Sequence, residues 1–177
     1  MLKFLGRFLK AKDGLAAVEF GFIAPFLITM VFGTIEVSNA LNCKANVTSL
    51  ASTAADLVAQ DNQVTDSDMA NVFNALNALL YPYPSTNAKI IISSVIDNGS
   101  GGAKVAWSDA QNTTARSVGS AVTVPTGLIT SGGSVVMVEV TYTYTSASTQ
   151  IVKLPITMTN TFYTRPRRVA QISRTAT

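Results

Sequence analysis

The residue types that carry most protein chemistry are sparse in this chain. Its 177 residues include no histidine and one cysteine, Cys43. Without histidine the usual general base is missing, along with Ser-His-Asp and Cys-His systems and most zinc sites. One cysteine permits neither an intramolecular disulfide nor a thiolate cluster. Beyond Glu19 the acids are Glu36, Asp56, Asp61, Asp66, Asp68, Asp97, Asp109 and Glu139, scattered without metal-ligand spacing. Asp66 and Asp68 suit the first turn of a helix better than a metal ion. Asp97 to Gly102 lacks the alternating acids and distal glutamate of a calcium loop. Gly101-Gly102 is not followed by Lys-Ser/Thr, so it is no phosphate loop. The sequons at Asn46, Asn98 and Asn112 are chance matches in an Asn/Thr-rich chain. The pattern points away from an enzyme, with no cofactor, no metal and no small-molecule substrate expected.

Charge and hydropathy are unevenly spread. Charged residues make up 13% of the chain, against about 25% in ordinary soluble domains. Lys3, Arg7, Lys10 and Lys12, opposed only by Asp13, precede the apolar run Leu15 to Ile35, whose twenty-one residues hold one charge, Glu19. The net charge of +3 is a property of that leader, because the chain from Leu15 onward has nine bases and nine acids. A helix over the run is about 31 Å long, close to the hydrocarbon thickness of a bilayer. Bases before it and Glu36 after it predict a cytoplasmic N-terminus and an outer C-terminal part. A buried core helix is usually shorter. A cleavable signal has an apolar region of about 7–15 residues, although Ser38-Asn39-Ala40 offers the small residues such a cut needs. Asn42 before Cys43 departs from a lipoprotein signal. The reading is a retained membrane helix. The alternative is a secreted or anchored binding or adhesive domain, with a signal cleaved after Ala40. A carboxylate within hydrocarbon costs roughly 2.5–3.5 kcal/mol. Glu19 is therefore either an interfacial residue that is tolerated or one that meets a positive partner in an assembly.

The stretch Gly14-Leu15-Ala16-Ala17-Val18-Glu19-Phe20 resembles the processing site of type IV-like pilins and pseudopilins. There a basic leader ends in glycine and glutamate is the fifth residue after the cut. With Pro25 and Gly33-Thr34-Ile35-Glu36-Val37, it resembles the TadE-like minor pseudopilins of the Tad (tight adherence, Flp) pilus system. Phe162 to Arg168 also resembles the tail of such proteins. The resemblance implies Gly14–Leu15 as a prepilin-peptidase-like processing site. It implies Glu19, Phe20, Pro25 and Glu36 as register and assembly residues. Cleavage would give Leu15 a charged amino terminus, and a neighbour's Glu19 would pair with it in low dielectric. Pro25 removes one helical hydrogen bond and either loosens the helix or is simply tolerated in the membrane. The implied partners are other pilus subunits, the inner-membrane assembly machinery, a prepilin peptidase and the lipid bilayer, with no nucleic acid. The implied location is the bacterial inner membrane, single-pass, with a periplasmic domain and incorporation in a pilus as one outcome.

Elements that position these residues follow from periodicity. Val37, Leu41, Val47, Leu50, Ala51, Ala54, Leu57 and Val58 recur at helical spacing, with no Gly or Pro from Glu36 to Asp61. One long helix, apolar first and amphipathic after, is expected. Cys43 is either a small buried side chain or an intermolecular disulfide. Thr65 or Asp66 caps a second helix with Met69, Val72, Phe73, Leu76, Leu79 and Leu80 on its apolar face, stopped by Pro82 and Pro84. Strands are expected at Ile90–Ile96, from Ala103 past Trp107, at Val136–Tyr144 and at Ile156–Thr164, with a short one near Val122 and a turn at Ser146 to Gln150. The expected fold is α+β and pilin-like, with a long N-terminal helix, a second short helix and an antiparallel sheet of about four strands.

The expected division is a basic cytoplasmic leader at 1–14, a transmembrane helix at 15–35 and its amphipathic continuation at 36–61. An extracytoplasmic α+β domain follows at 62–164 and a basic C-terminal tail at 165–177. Arg165, Arg167, Arg168 and Arg174 in that tail read first as solvated. Contact with a neighbouring subunit or an anionic headgroup surface is the alternative. The functional expectation is a non-enzymatic, membrane-anchored component for assembly of a Tad-type pilus.

Overall fold

The computed structural model describes residues 14–146 and 155–175. The leader bases Lys3, Arg7, Lys10 and Lys12, and the turn expected at Ser146 to Gln150 from Ala147 onward, lie outside the described residues.

The first element, α1 (Leu15–Ala59), is one helix of 45 residues, about 68 Å long at the usual rise. Its second half carries a buried stripe of Cys43, Val47, Leu50, Ala51, Ala54, Ala55, Val58 and Ala59. These positions recur at steps of three and four, so they share one face. Four of them are alanine, which lets a sheet approach the helix axis closely.

The chain then forms β1 (Gln63–Thr65) and turns back in α2 (Asp66–Leu79). Thr65 starts α2 with a reciprocal cap. Its hydroxyl accepts from the Asp68 amide at 3.2 Å, and the Asp68 carboxylate accepts from the Thr65 amide at 2.9 Å. The Thr65 hydroxyl, which donates to the same carboxylate at 2.7 Å, and then the Thr65 amide hold the Asp68 carboxyl below its ordinary value. Met69, Leu76 and Leu80 are buried against the core.

The sheet comprises β2 (Ala88–Asp97), β3 (Ala103–Gln111), β4 (Ala121–Val122), β5 (Ser134–Tyr144) and β6 (Ile156–Thr164). It is antiparallel throughout, in the order β4-β3-β2-β5-β6. Both α1 and α2 contribute to one core with Ile90, Ile92, Trp107, Val136, Val138, Val140, Tyr142 and Tyr144 from the sheet. The fold is therefore the expected α+β arrangement, with five strands where about four were expected. The fifth is β4, two residues long, the short strand expected near Val122.

The opposite sheet face is covered too. Val95, Val135 and Met137 form a smaller cluster under Val122, Val124, Leu128 and Ile129. The polar connection after β3 thus acts as a cover. Arg116 clamps it, its guanidinium donating twice to Glu139 of β5 at 2.6 and 2.7 Å.

The chain's last described segment corrects the expectation of a solvated tail. β7 (Ser173–Thr175) pairs in parallel with β1, and Ile172 is buried in the main core. The Trp107 indole donates to the Ile172 carbonyl at 2.8 Å. Arg165, Arg167 and Arg174 are used as clamps, finding fixed acceptors that isolated sequence inspection does not reveal, while Arg168 stays exposed.

Leu50 is fully buried beneath the sheet. Truncating it to alanine is expected to cost about 2–5 kcal/mol. Urea unfolding of the full chain in detergent, followed through Trp107 emission, measures this. An unchanged midpoint would show that the helix stripe does not hold the sheet.

Candidate functional site: the apolar helix and its junction with the domain

Among the described residues, the first half of α1 is unlike any other surface. Leu15, Phe20, Phe22, Ile23, Phe26, Ile28, Met30, Val31 and Ile35 all stand more than half exposed. They occupy every side of the helix, so no single partner face accounts for them. Within the described residues this is the one helix long and apolar enough to cross a membrane. Its hydroxyls are satisfied internally. Thr29 donates to the Pro25 carbonyl at 2.8 Å, Thr34 to Met30 at 2.9 Å and Ser38 to Thr34 at 2.9 Å. Such back-bonding lets polar side chains sit in an apolar surrounding.

The residues expected to act in assembly are strung along this helix. Gly14 is its N-cap, with Leu15 the first helical residue, and both are exposed. Glu19 and Phe20 follow on the exposed surface. Pro25 lies inside the helix, which continues through it. Glu19 and Glu36 are separated by about 26 Å along the axis, near the two ends of the apolar stretch. The fold does not bring them together.

Glu36 is instead part of a junction between helix and domain. It is 8% exposed, and the Tyr144 hydroxyl donates to its Oε1 at 2.8 Å. Tyr144 ends β5, 108 residues further along the chain. Its ring meets that of Tyr83 edge-on, with centroids 6.1 Å apart. Tyr83 in turn donates its hydroxyl to the Asn39 carbonyl at 2.9 Å, and Tyr142 donates to the Pro84 carbonyl at 3.2 Å. Tyr144 and Tyr83 therefore tie the end of the sheet and the turn after α2 to the helix just past its apolar half, and Tyr142 ties the sheet to that turn. Burial and the Glu36 hydrogen bond push the Tyr144 hydroxyl well above the ordinary tyrosine value.

Cys43 lies one turn deeper and is fully buried. Burial raises its thiol to about 11, so it is a packed, protonated side chain and not a presented thiolate.

The C-terminal arginines gather at the far end of α1. The Arg167 amide donates to the Ala59 carbonyl at 2.9 Å, filling an acceptor that a helix end leaves open. Its guanidinium pairs with Asp56. Arg165 donates to the carbonyls of Gly127 and Leu128, both at 2.9 Å. Arg168 lines a shallow cleft with Gln60, Asp61 and Arg167. Arg174, the least exposed of them, bridges Asp66 and Asp109. Ala59 is 24 residues past Ile35, about 36 Å along the helix. That distance sets Arg165, Arg167 and Arg168 at the end of α1 away from its apolar half.

Among the described residues no three acids or cysteines converge as a metal site would require. A cleft of about 710 Å³ is lined by the Asp97–Ala103 turn and the 122–131 connection. Asp97, its carboxylate, is already accepting from the Gly99 amide at 3.0 Å.

Residues 14–56 match the family model of TadE-like proteins. The TadE-like stretch begins at Gly14, takes in Glu19, Phe20, Pro25 and Glu36, and ends at Asp56 in the packed half of the helix. It connects the chain with Tad pilus systems. No curated protein and no solved structure matches the chain. The TadE-like match thus covers the helix, while the sheet domain is described by its own structure alone.

The tyrosine junction missed by sequence inspection had one faint signal. Tyr142 and Tyr144 end a strand that otherwise alternates valine with threonine and glutamate. Replacing Tyr144 by phenylalanine removes a hydrogen bond to a carboxylate and is expected to cost about 1.5–3 kcal/mol at neutral pH. The folded-state value of Tyr144 lies above its unfolded one, so its contribution is fully present below pH 10.0, the ordinary value, and is lost as pH rises. Stability of the native chain should therefore fall above that pH, and Tyr144→Phe should flatten the fall. Denaturation midpoints across an alkaline pH series check both. Identical pH profiles would remove Tyr144 from the account.

Proposed function

We propose that this protein is a non-enzymatic, single-pass component of a Tad-type pilus assembly, anchored in the inner membrane by residues 15–35. One observation carries the reading. The TadE-like stretch is half an exposed apolar rod and half the core of a folded domain, with no break between. Such a rod makes lateral contacts in a bilayer while its domain stands outside. The leader bases set the N-terminus on the cytoplasmic side.

Gly14–Leu15 is the processing site in this reading. Both residues are exposed at the start of the helix, which suits entry of a peptidase. Processing leaves a charged amino group on Leu15. Glu19 of one subunit then compensates the Leu15 amine of its neighbour, since two opposite charges in low dielectric each lower the other's desolvation cost. Phe20 and Pro25 shape the adjoining helix contact. A cut after Ala40 is disfavoured, because Ala40 packs on the core from within the helix and the cut would remove Glu36 from Tyr144.

Intact mass of protein taken from the native membrane is expected to show loss of residues 1–14. Loss of residues 1–40 would instead make it a secreted domain. In cells, Glu19→Ala is expected to abolish co-purification with other pilus subunits and surface piliation, while the protein still accumulates. Normal piliation in that variant would remove Glu19 from the mechanism.

A further inference from the structure

We infer that the span-proximal end of the sheet domain, with Tyr81 at its tip, is a seat for the lipid headgroup surface. The inference rests on residues 15–35 crossing the membrane and adds a second, domain-borne contact with the same bilayer.

The level of this end is set by hydrogen bonds to α1. Glu36, held by Tyr144, is one residue past Ile35. Asn39, held by Tyr83, is four residues past it, or about 6 Å along the axis. The helix has neither Gly nor Pro from Glu36 to Ala59, so no hinge lifts the domain away. The end of β5 and the turn between α2 and β2 are therefore brought to the depth of the headgroups.

The exposed chemistry there fits that surface. Tyr81, in the same turn as Tyr83, is 83% exposed. Tyrosine is enriched at the membrane–water interface, where its ring and hydroxyl suit the mixed environment. Val37 and Leu41 remain 60% and 62% exposed on the adjoining helix, continuing the apolar surface past Ile35. Lys44 and Lys89 are exposed at the same end and suit anionic headgroups. Glu36 is the one carboxylate described at this end, buried and held by Tyr144, and the exposed carboxylates lie elsewhere. Asp56, Asp61 and Asp66 cluster around the far end of α1, Asp97 ends β2, and Glu139 is taken by Arg116.

The test uses the full chain in vesicles of phosphatidylethanolamine and phosphatidylglycerol carrying lipids brominated near the headgroup. The native Trp107 is an internal reference. It is 6% exposed and pairs with Ser94, six residues along β2 from Ala88, or about 20 Å further from the membrane. The emission added by Tyr81→Trp is expected to be quenched and blue-shifted relative to the wild type. Phe26→Trp reports the span itself and is expected to be quenched by lipids brominated deeper in the chains. Quenching at position 26 without quenching at position 81 overturns the seat and leaves the span standing. No quenching at position 26 overturns the span, and the seat with it.

Discussion

A single helix must here satisfy two solvents. For its first twenty-one residues it presents apolar side chains on every side, and from Cys43 onward it presents a narrow stripe to a sheet. The backbone bonds of a helix are made within the segment, so the same rod is stable in lipid and against protein. No other element among the described residues has this property. A sheet of five strands has two faces to cover, and α1 with α2 covers one of them. The position of every strand relative to the apolar half follows from how the stripe of alanines and valines docks.

The tyrosine junction turns this docking into a fixed height. Buried hydroxyls and a buried carboxylate are costly unless paired, and here Tyr144 with Glu36 and Tyr83 with Asn39 satisfy one another. The arrangement has a direction. Apolar rod, tyrosine collar, domain core and arginine clamps follow in order along α1. The C-terminal segment closes the far end by capping α1 through Arg167 and by pairing β7 with β1. A short two-stranded ribbon of this kind is weak alone, but Ile172 and the Trp107 indole bond anchor it to the core. The helix runs from the rod into the domain without a break, and neither Gly nor Pro lies between Glu36 and Ala59.

Much of this organisation was legible in the residues. The apolar run, the amphipathic continuation, the Thr65 cap and the alternation on β5 are local patterns with periods of 3.6 or 2, and local patterns survive inspection of a sequence. The spacing of Gly14, Glu19, Phe20, Pro25 and Glu36 was enough to suggest the TadE-like resemblance that the family match bears out. Partnerships across long separations were not legible. Glu36 was expected to serve contacts along the span, whereas its visible bond is to a tyrosine on the fifth strand. The arginines near the C-terminus were expected in solvent or at a headgroup surface because no acid lies near them in sequence. Asp56, Asp66 and Asp109 approach only after the chain has turned back on itself. The connection after β3 read as a polar loop, since Val122, Val124, Leu128 and Ile129 are too irregularly placed to show a period. They become a cover only when Met137 is underneath.

The sequence by itself therefore determined the axis of the protein: which segment is apolar all round, where the helix gains a single apolar face, and which residues start and stop the elements. Backbone propensity and side-chain periodicity act over a few residues, so these decisions need no distant partner. Tertiary structure decided the height and closure. The tyrosine collar at the end of the apolar rod, and the arginine clamps about 36 Å further on, depend on strands that pair across the whole domain. Hydrogen bonds and ion pairs are short-ranged, and no local pattern announces which distant acceptor a donor will reach.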